Sequence, residues 1–215
     1  MQEPYVNRHA LQSMIKACGR KQSIERGLEL HDIAMKYGYD RDPFIGSMLV
    51  DMYGKCGLLA EAYYVFIRIP IRNVVSWTAI IGGYVDNGHG EKAIECFEQM
   101  KVEDIDPDSF TYIHFLKACG STGAKDRGEK IHSEIEGRGL LQGNPVIANV
   151  LVDMYAKCGL LGQAQQVFNK LPARDIVSWN ALITGYAEHG QGEEAIECFE
   201  QMQQDGISPD VVTLV

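Results

Sequence analysis

Residues 75–100 read VSWTAIIGGYVDNGHGEKAIECFEQM, and residues 177–202 read VSWNALITGYAEHGQGEEAIECFEQM. The two stretches agree at 18 of 26 positions and start 102 residues apart. Cys56 and Cys158, Cys96 and Cys198, and Trp77 and Trp179 keep the same offset, and Cys18 returns one residue short of it as Cys119. Cysteines that copy a repeat are more simply small apolar residues in equivalent slots than a disulfide framework, given a reducing compartment. No CxxC, no HExxH and no Cys/His cluster at zinc spacing occurs, so neither a metal nor a cofactor is expected.

A finer period lies inside the quoted stretch. Trp77, Ile80, Ile81 and Tyr84 fall at i, i+3, i+4 and i+7, the spacing of one helix face. Asn87, Gly88 and Gly90 break the pattern. A second amphipathic stretch from Glu91 sets Ala93, Ile94, Phe97 and Met100 on one side and stops at Asp106, Pro107 and Asp108. The same grammar of helix, turn, helix and stop divides the chain into units at 8–42, 43–73, 74–108, 109–144, 145–175 and 176–210, with 1–7 a lead-in and 211–215 the start of a further unit. Three unlike units of 36, 31 and 35 residues make up the repeat of 102. A single helical hairpin cannot bury its apolar face, so neighbours must stack and share a core. The expected fold is an all-α solenoid, with the first helix of each hairpin lining one concave groove suited to an extended ligand.

The 215 residues are 46% apolar and 23% charged, enough to build a substantial core. No apolar run reaches the roughly 18 to 20 residues of a membrane span, and no membrane partner is expected. The opening MQEPYVNRHALQ has neither the apolar core of a secretory signal nor the Arg/Ser-rich amphipathic character of a transit peptide. Any targeting segment is therefore expected to have been removed or never to have existed. Both terminal hairpins lack an evident polar cap, from which self-association through the solenoid ends is expected.

Two hairpin families compete at this period. The tetratricopeptide pattern W-x2-L-G-x2-Y is imitated by Trp77, Ile80 and Tyr84, but Ile81 and Ile183 stand where that family has its helix-packing glycine. Over residues 8–215 the units instead resemble the pentatricopeptide repeat family, in the plant organellar subtype that alternates P, L and S motifs. NVVSWTAIIGGYVDNGHGEKAIECFEQM and DIVSWNALITGYAEHGQGEEAIECFEQM, with terminal DPD and SPD, resemble P units. LVDMYGKCGLLAEAYYVF and LVDMYAKCGLLGQAQQVF resemble S units, and MIKACGRKQSIERGLELH and FLKACGSTGAKDRGEKIH resemble L units. The resemblance implies a right-handed superhelix that binds single-stranded RNA at one base per repeat, in a mitochondrion or chloroplast, as an adaptor for RNA editing or processing. It also implies, as partners, organellar editing factors or a deaminase acting in trans.

In that family a base is read by the fifth residue of a unit together with the last. The resemblance makes Ser47 with Asn73 an adenine pair, Thr78 with Asp108 a guanine pair, and Asn149 with Asp175 and Asn180 with Asp210 uracil pairs. Gln12 with Asp42 and Ile113 with Asn144 belong to L units and stay unassigned; Ile113 cannot hydrogen-bond a base. The implied core is 5′-A-G-N-U-U-3′, N being any base. Clamping of the bases falls to the second residue of each unit: Phe44, Val75, Phe110, Val146 and Val177. Arg20, Lys55 and Lys157 lie at first-helix ends, where related proteins hold phosphates, while Asp86 and Glu188 take the matching P-unit positions.

Each of these residues also has a plain structural role open to it. Asn, Ser and Thr near helix starts commonly cap, Asp beside a turn commonly closes it, and the second residues could be ordinary core between hairpins. The net charge of −9 argues against a nucleic-acid binder, which is expected to be basic. The excess is uneven, at +2 over 1–73, −5 over 74–144 and −6 over 145–215. Many acids, including Glu91, Glu95, Glu98, Glu193 and Glu197, fall on second helices, which leaves the groove less negative than the total. His132, Ser133 and Glu134 imitate the HxE element of zinc deaminases, but the PCxxC partner is absent and His132 repeats His31, so both histidines read as packing residues and no enzyme is expected. The competing reading is a protein-binding helical scaffold.

Overall fold

The computed structural model describes residues 7–141 and 144–213. Residues 1–6 of the expected lead-in and 214–215 of the expected further unit lie outside the described residues. Twelve α-helices follow one another there: α1 (Arg8–Lys21), α2 (Ile24–Lys36), α3 (Pro43–Lys55), α4 (Leu59–Arg68), α5 (Val74–Asp86), α6 (Gly90–Val102), α7 (Ser109–Thr122), α8 (Lys125–Gly137), α9 (Pro145–Lys157), α10 (Leu161–Asn169), α11 (Ile176–Glu188) and α12 (Gly192–Gln204). A single 3₁₀ turn, Tyr39–Arg41, precedes α3, and no strand occurs among the described residues. The chain gathers into two compact units, Met1–His114 and Phe115–Val215.

Local chemistry fixes where the odd-numbered helices begin. Asn7, Asp42, Asn73, Asn144 and Asp175 sit in extended backbone and accept N–H groups of the following first turn. Pro43 and Pro145 occupy first helical positions, where a missing N–H costs nothing. Asn73 with Ser76, and Asp175 with Ser178, cap reciprocally: each side chain accepts the other's backbone N–H. The turns that end α5 and α11 pass through Gly88 and Gly190 with φ of 76° and 73°, a conformation that a Cβ disfavours.

In the first unit the face read from the quoted stretch is the core. Trp77, Ile80, Ile81 and Tyr84 are all buried, and Phe66 meets Trp77 edge-on with ring centroids 4.6 Å apart. The Arg72 guanidinium lies over both rings, at 5.5 and 5.9 Å, and is held there by Glu103. Helices α3 and α5 approach most closely at glycine. A Cβ on Gly54 would stand 2.9 Å from the Gly83 Cα, so the packing glycine of this chain lies two residues beyond the place it takes in a tetratricopeptide repeat.

The second unit repeats these contacts within itself. Phe168 meets Trp179 at 4.6 Å under Arg174, and Gly185 faces Ala156, which stands where the first unit has Gly54. His31 hydrogen-bonds Tyr53 at 2.7 Å and His132 hydrogen-bonds Tyr155 at 2.8 Å. Burial holds both imidazoles below the ordinary histidine range and pushes both phenols up to about 12. These are packing histidines, and the HxE stretch is absorbed into α8, where Glu134 pairs with Arg138. All six cysteines are free thiols; Cys18 and Cys119 are buried, and burial raises Cys96 and Cys198 to about 11.

Candidate nucleic-acid interface

In the first unit, helices α1, α3 and α5 and the beginning of α7 line a trough of about 590 Å³. Phe44, Val75 and Phe110 stand along it, with Ser47, Thr78 and Asp108 beside them. The three apolar residues share one cause: each is the second residue of a capped helix, and the cap turns that position away from the core behind it. They are 56%, 55% and 68% exposed, and their counterparts in the second unit, Val146 and Val177, are 53% and 58% exposed. The alternative role as core between hairpins is thereby overturned for all five. Within the first unit Phe44, Val75 and Phe110 line one trough, so their exposed apolar surface is gathered there.

The polar residues form two kinds of pair. In the second unit Asn149 donates to both carboxylate oxygens of Asp175, at 3.0 and 2.9 Å, and Asn180 donates to Asp210 at 3.0 Å. Asn180 and Asn149 are buried for most of their surface. Hydrogen bonds from the Thr213 backbone and the Asn180 side chain hold the Asp210 carboxyl below its usual range. In the first unit Thr78 reaches Asp108 through an intermediary: its hydroxyl lies 2.7 Å from that of Thr111, which lies 2.8 Å from Asp108. Ser47, in contrast, gives its proton to the Pro43 carbonyl, and Asn73 is engaged with Ser76. Capping and pairing coexist in Asp175, which accepts the Ser178 N–H while it holds Asn149.

A model described as the PPR repeat family matches residues 72–121 and 174–214, and one described as PPR repeat matches 47–74 and 146–176. The chain belongs to the PPR repeat family. Among its relatives in Arabidopsis thaliana, pentatricopeptide repeat-containing protein CRR2, chloroplastic, is 41% identical over 208 residues, which are 94% of this PPR chain and 32% of the relative. Pentatricopeptide repeat-containing protein At3g24000, mitochondrial, is 38% identical over 212 residues, covering 97% and 33%. The chain thus spans about a third of the length of these relatives. A crystal structure of the pentatricopeptide repeat protein PPR10 in complex with an 18-nt psaJ RNA element superimposes with a TM-score of 0.79 at 21% identity, over 96% of this chain and 31% of that one. The fold is that of a helical-repeat solenoid.

Of the cations singled out in this PPR chain, Arg20 is exposed at the end of α1, Lys55 pairs with Asp51 at 2.6 Å, and Lys157 pairs with Asp153 at 2.8 Å. Asp86 lines the trough, and none of Glu91, Glu95 and Glu98 does. Gln12 and Ile113 are half-buried on α1 and α7; Asp42 caps α3 and pairs with Arg8 at 2.6 Å, and Asn144 caps α9. Sequence reasoning missed Thr111 and Thr213, the third residues of their units. The Asp-x-x-Thr spacing of Asp108 with Thr111, and of Asp210 with Thr213, was the available signal, since a side chain three residues after a cap reaches back to it.

Proposed function

We propose that this chain binds single-stranded RNA, one base per hairpin, with Phe44, Val75, Phe110, Val146 and Val177 clamping the bases. Ser47 with Asn73, Thr78 with Asp108, Asn149 with Asp175 and Asn180 with Asp210 read them as 5′-A-G-N-U-U-3′. The observation that carries this reading is the coincidence, at four of these five hairpins, of an exposed apolar side chain with a polar group three residues later on the same helix. The four are Phe44 with Ser47, Val75 with Thr78, Val146 with Asn149 and Val177 with Asn180, Ile113 after Phe110 being the exception. Stacking against apolar side chains contributes about 1 to 3 kcal/mol per base without identifying it, so identity must come from the polar groups. A carboxylate accepts the N3–H of uracil or the N1–H of guanine; the neighbouring Asn or Thr then separates the two.

The chain's role is that of an adaptor in organellar RNA editing or processing, with the chemistry supplied by another domain or protein. The mitochondrial and chloroplastic relatives support the compartment, and the RNA-bound PPR10 structure supports the ligand class. A gel shift with short single-stranded RNAs tests the proposal. Retention of 5′-AGNUU-3′ over its permutations is expected. Equal or no binding of every RNA would favour a protein-binding scaffold.

A further inference from the structure

We infer that Thr111 and Thr213 are specificity-determining residues, which act by fixing the proton pattern that the fifth residues Thr78 and Asn180 present to a base; the inference rests on the RNA reading above. Thr111 is fully buried at the start of α7 and touches two polar groups at once. A hydroxyl carries one proton. The Asp108 carboxylate, 2.8 Å away, can only accept, and a charge-assisted bond is the stronger one, so the Thr111 proton goes to Asp108. The 2.7 Å contact with Thr78 then requires Thr78 to donate into Thr111. Thr78 is left with lone pairs alone for the trough, beside an anionic Asp108. A site made only of acceptors suits a base edge rich in donors: guanine offers N1–H and the N2 amino group, whereas adenine offers an acceptor at N1.

Thr213 does the equivalent at the last pair. Its hydroxyl lies 2.6 Å from Asn180 Oδ1 and 3.0 Å from Asp210 Oδ1, while Asn180 Nδ2 donates to Asp210 at 3.0 Å. Unlike Thr78, Asn180 Oδ1 cannot donate, so the one hydroxyl proton goes to this shorter contact and Asp210 is served by the amide N–H. The amide is therefore pinned with its oxygen toward Thr213, leaving one N–H on Nδ2 to meet a carbonyl of uracil. Where the third residue is serine the arrangement differs. Ser76 and Ser178 turn their hydroxyls to the backbone carbonyls of Asn73 and Asp175, and Asn149 is held by Asp175 directly. The rule is thus read from threonine at the third position of the unit that follows the reading residue.

The test is competition binding with the full chain and two RNAs, 5′-AGNUU-3′ and 5′-AANUU-3′, for the unsubstituted chain and for Thr111→Val. Valine keeps the shape and removes the hydroxyl, freeing the Thr78 proton to point at the base. The guanine-over-adenine ratio is expected to fall by about fivefold, through improved binding of the adenine RNA, while the preference at the two uracils stays unchanged. A merely structural role would weaken both RNAs equally, and that result, or an unaltered ratio, overturns the inference. Thr213→Val supplies an independent check should Thr111→Val fold poorly: its uracil-over-cytosine ratio at the last base is expected to fall, and an unaltered ratio counts against the inference. If the unsubstituted chain binds none of these RNAs, the reading beneath the inference fails and takes the inference with it; if it binds without the substitutions mattering, only the inference fails.

Discussion

Asn149 and Asp175, 26 residues apart, are joined by two hydrogen bonds from one amide nitrogen to both carboxylate oxygens, at 3.0 and 2.9 Å. Asp175 at the same time starts α11. Cap and reader can therefore be separated by substitution. Asparagine caps about as well as aspartate, so Asp175→Asn is expected to leave the urea midpoint nearly unchanged, whereas Asp175→Ala should lower stability by about 1 kcal/mol. Asp175→Asn should nonetheless lose its preference for uracil, because a neutral amide is a poorer and ambiguous acceptor for N3–H. Equal uracil preference in Asp175→Asn and the unsubstituted chain would show that Asp175 only caps.

Close helix approach makes a second prediction. A Cβ on Gly185 would lie 2.5 Å from the Ala156 Cβ, so Gly185→Ala should cost about 1 to 3 kcal/mol through forced separation of α9 and α11. Gly162 has nothing within 4 Å of such a Cβ, lies in α10, and has Ala60 as its counterpart one repeat earlier. Gly162→Ala should therefore stabilise, by up to about 1 kcal/mol. Thermal unfolding of the two variants measures the opposite signs.

The buried histidines set an acid dependence. Desolvation lowers His31, against partial opposition from Asp40 and Asp32, and lowers His132, against opposition from Glu136. Below about pH 6.5 the unfolded chain then binds protons that the folded chain does not, so stability present above that pH is lost as pH falls toward the folded values. The double variant His31→Gln, His132→Gln should start less stable, for want of the tyrosine hydrogen bonds, and lose less on acidification. Melting curves at about pH 7.5 and about pH 5.5 check this; an equal or larger drop in the variant would contradict it.

Salt dependence follows from the scarcity of unpaired cations near the trough. Two lysines line the trough, Lys16 and Lys55, and Lys55 is paired to Asp51, as Lys157 of the second unit is to Asp153. Few counterions are therefore released by RNA, and each contributes only about 0.7 to the slope of log K against log salt for a single strand. A slope no steeper than about −2 is expected from filter binding between low and physiological salt. A slope several times larger would mean that the phosphate contacts lie elsewhere.

Much of this was legible because helical periodicity is a strong local signal: Trp77, Ile80, Ile81 and Tyr84 announce a face, and that face is buried. The apolar character of Phe44 and Val75 was legible too, but not their exposure, since periodicity reports a face without saying what covers it. Thr111 and Thr213 escaped because their partners lie in the preceding hairpin, 33 residues away in each case, and only stacking brings them within reach. The role of Gly83 was not legible for a similar reason: the crossing point of two helices, here Gly54 against Gly83, is a property of the pair.

The most direct measurement of base readout exchanges the two copies of the opening stretch at their one decisive difference. Asn180→Thr places threonine between Thr213 and Asp210, reproducing the set of Thr78, Thr111 and Asp108 found in the first unit. Both side chains are short and polar, so the hairpin should remain folded. Competition between 5′-AGNUU-3′ and 5′-AGNUG-3′ should show preference at the last base moving from uracil to guanine by about fivefold or more, with the other positions unchanged. If the variant keeps its preference for uracil, or weakens equally toward both RNAs, Asn180 is a structural residue and the hairpins do not read bases through these pairs.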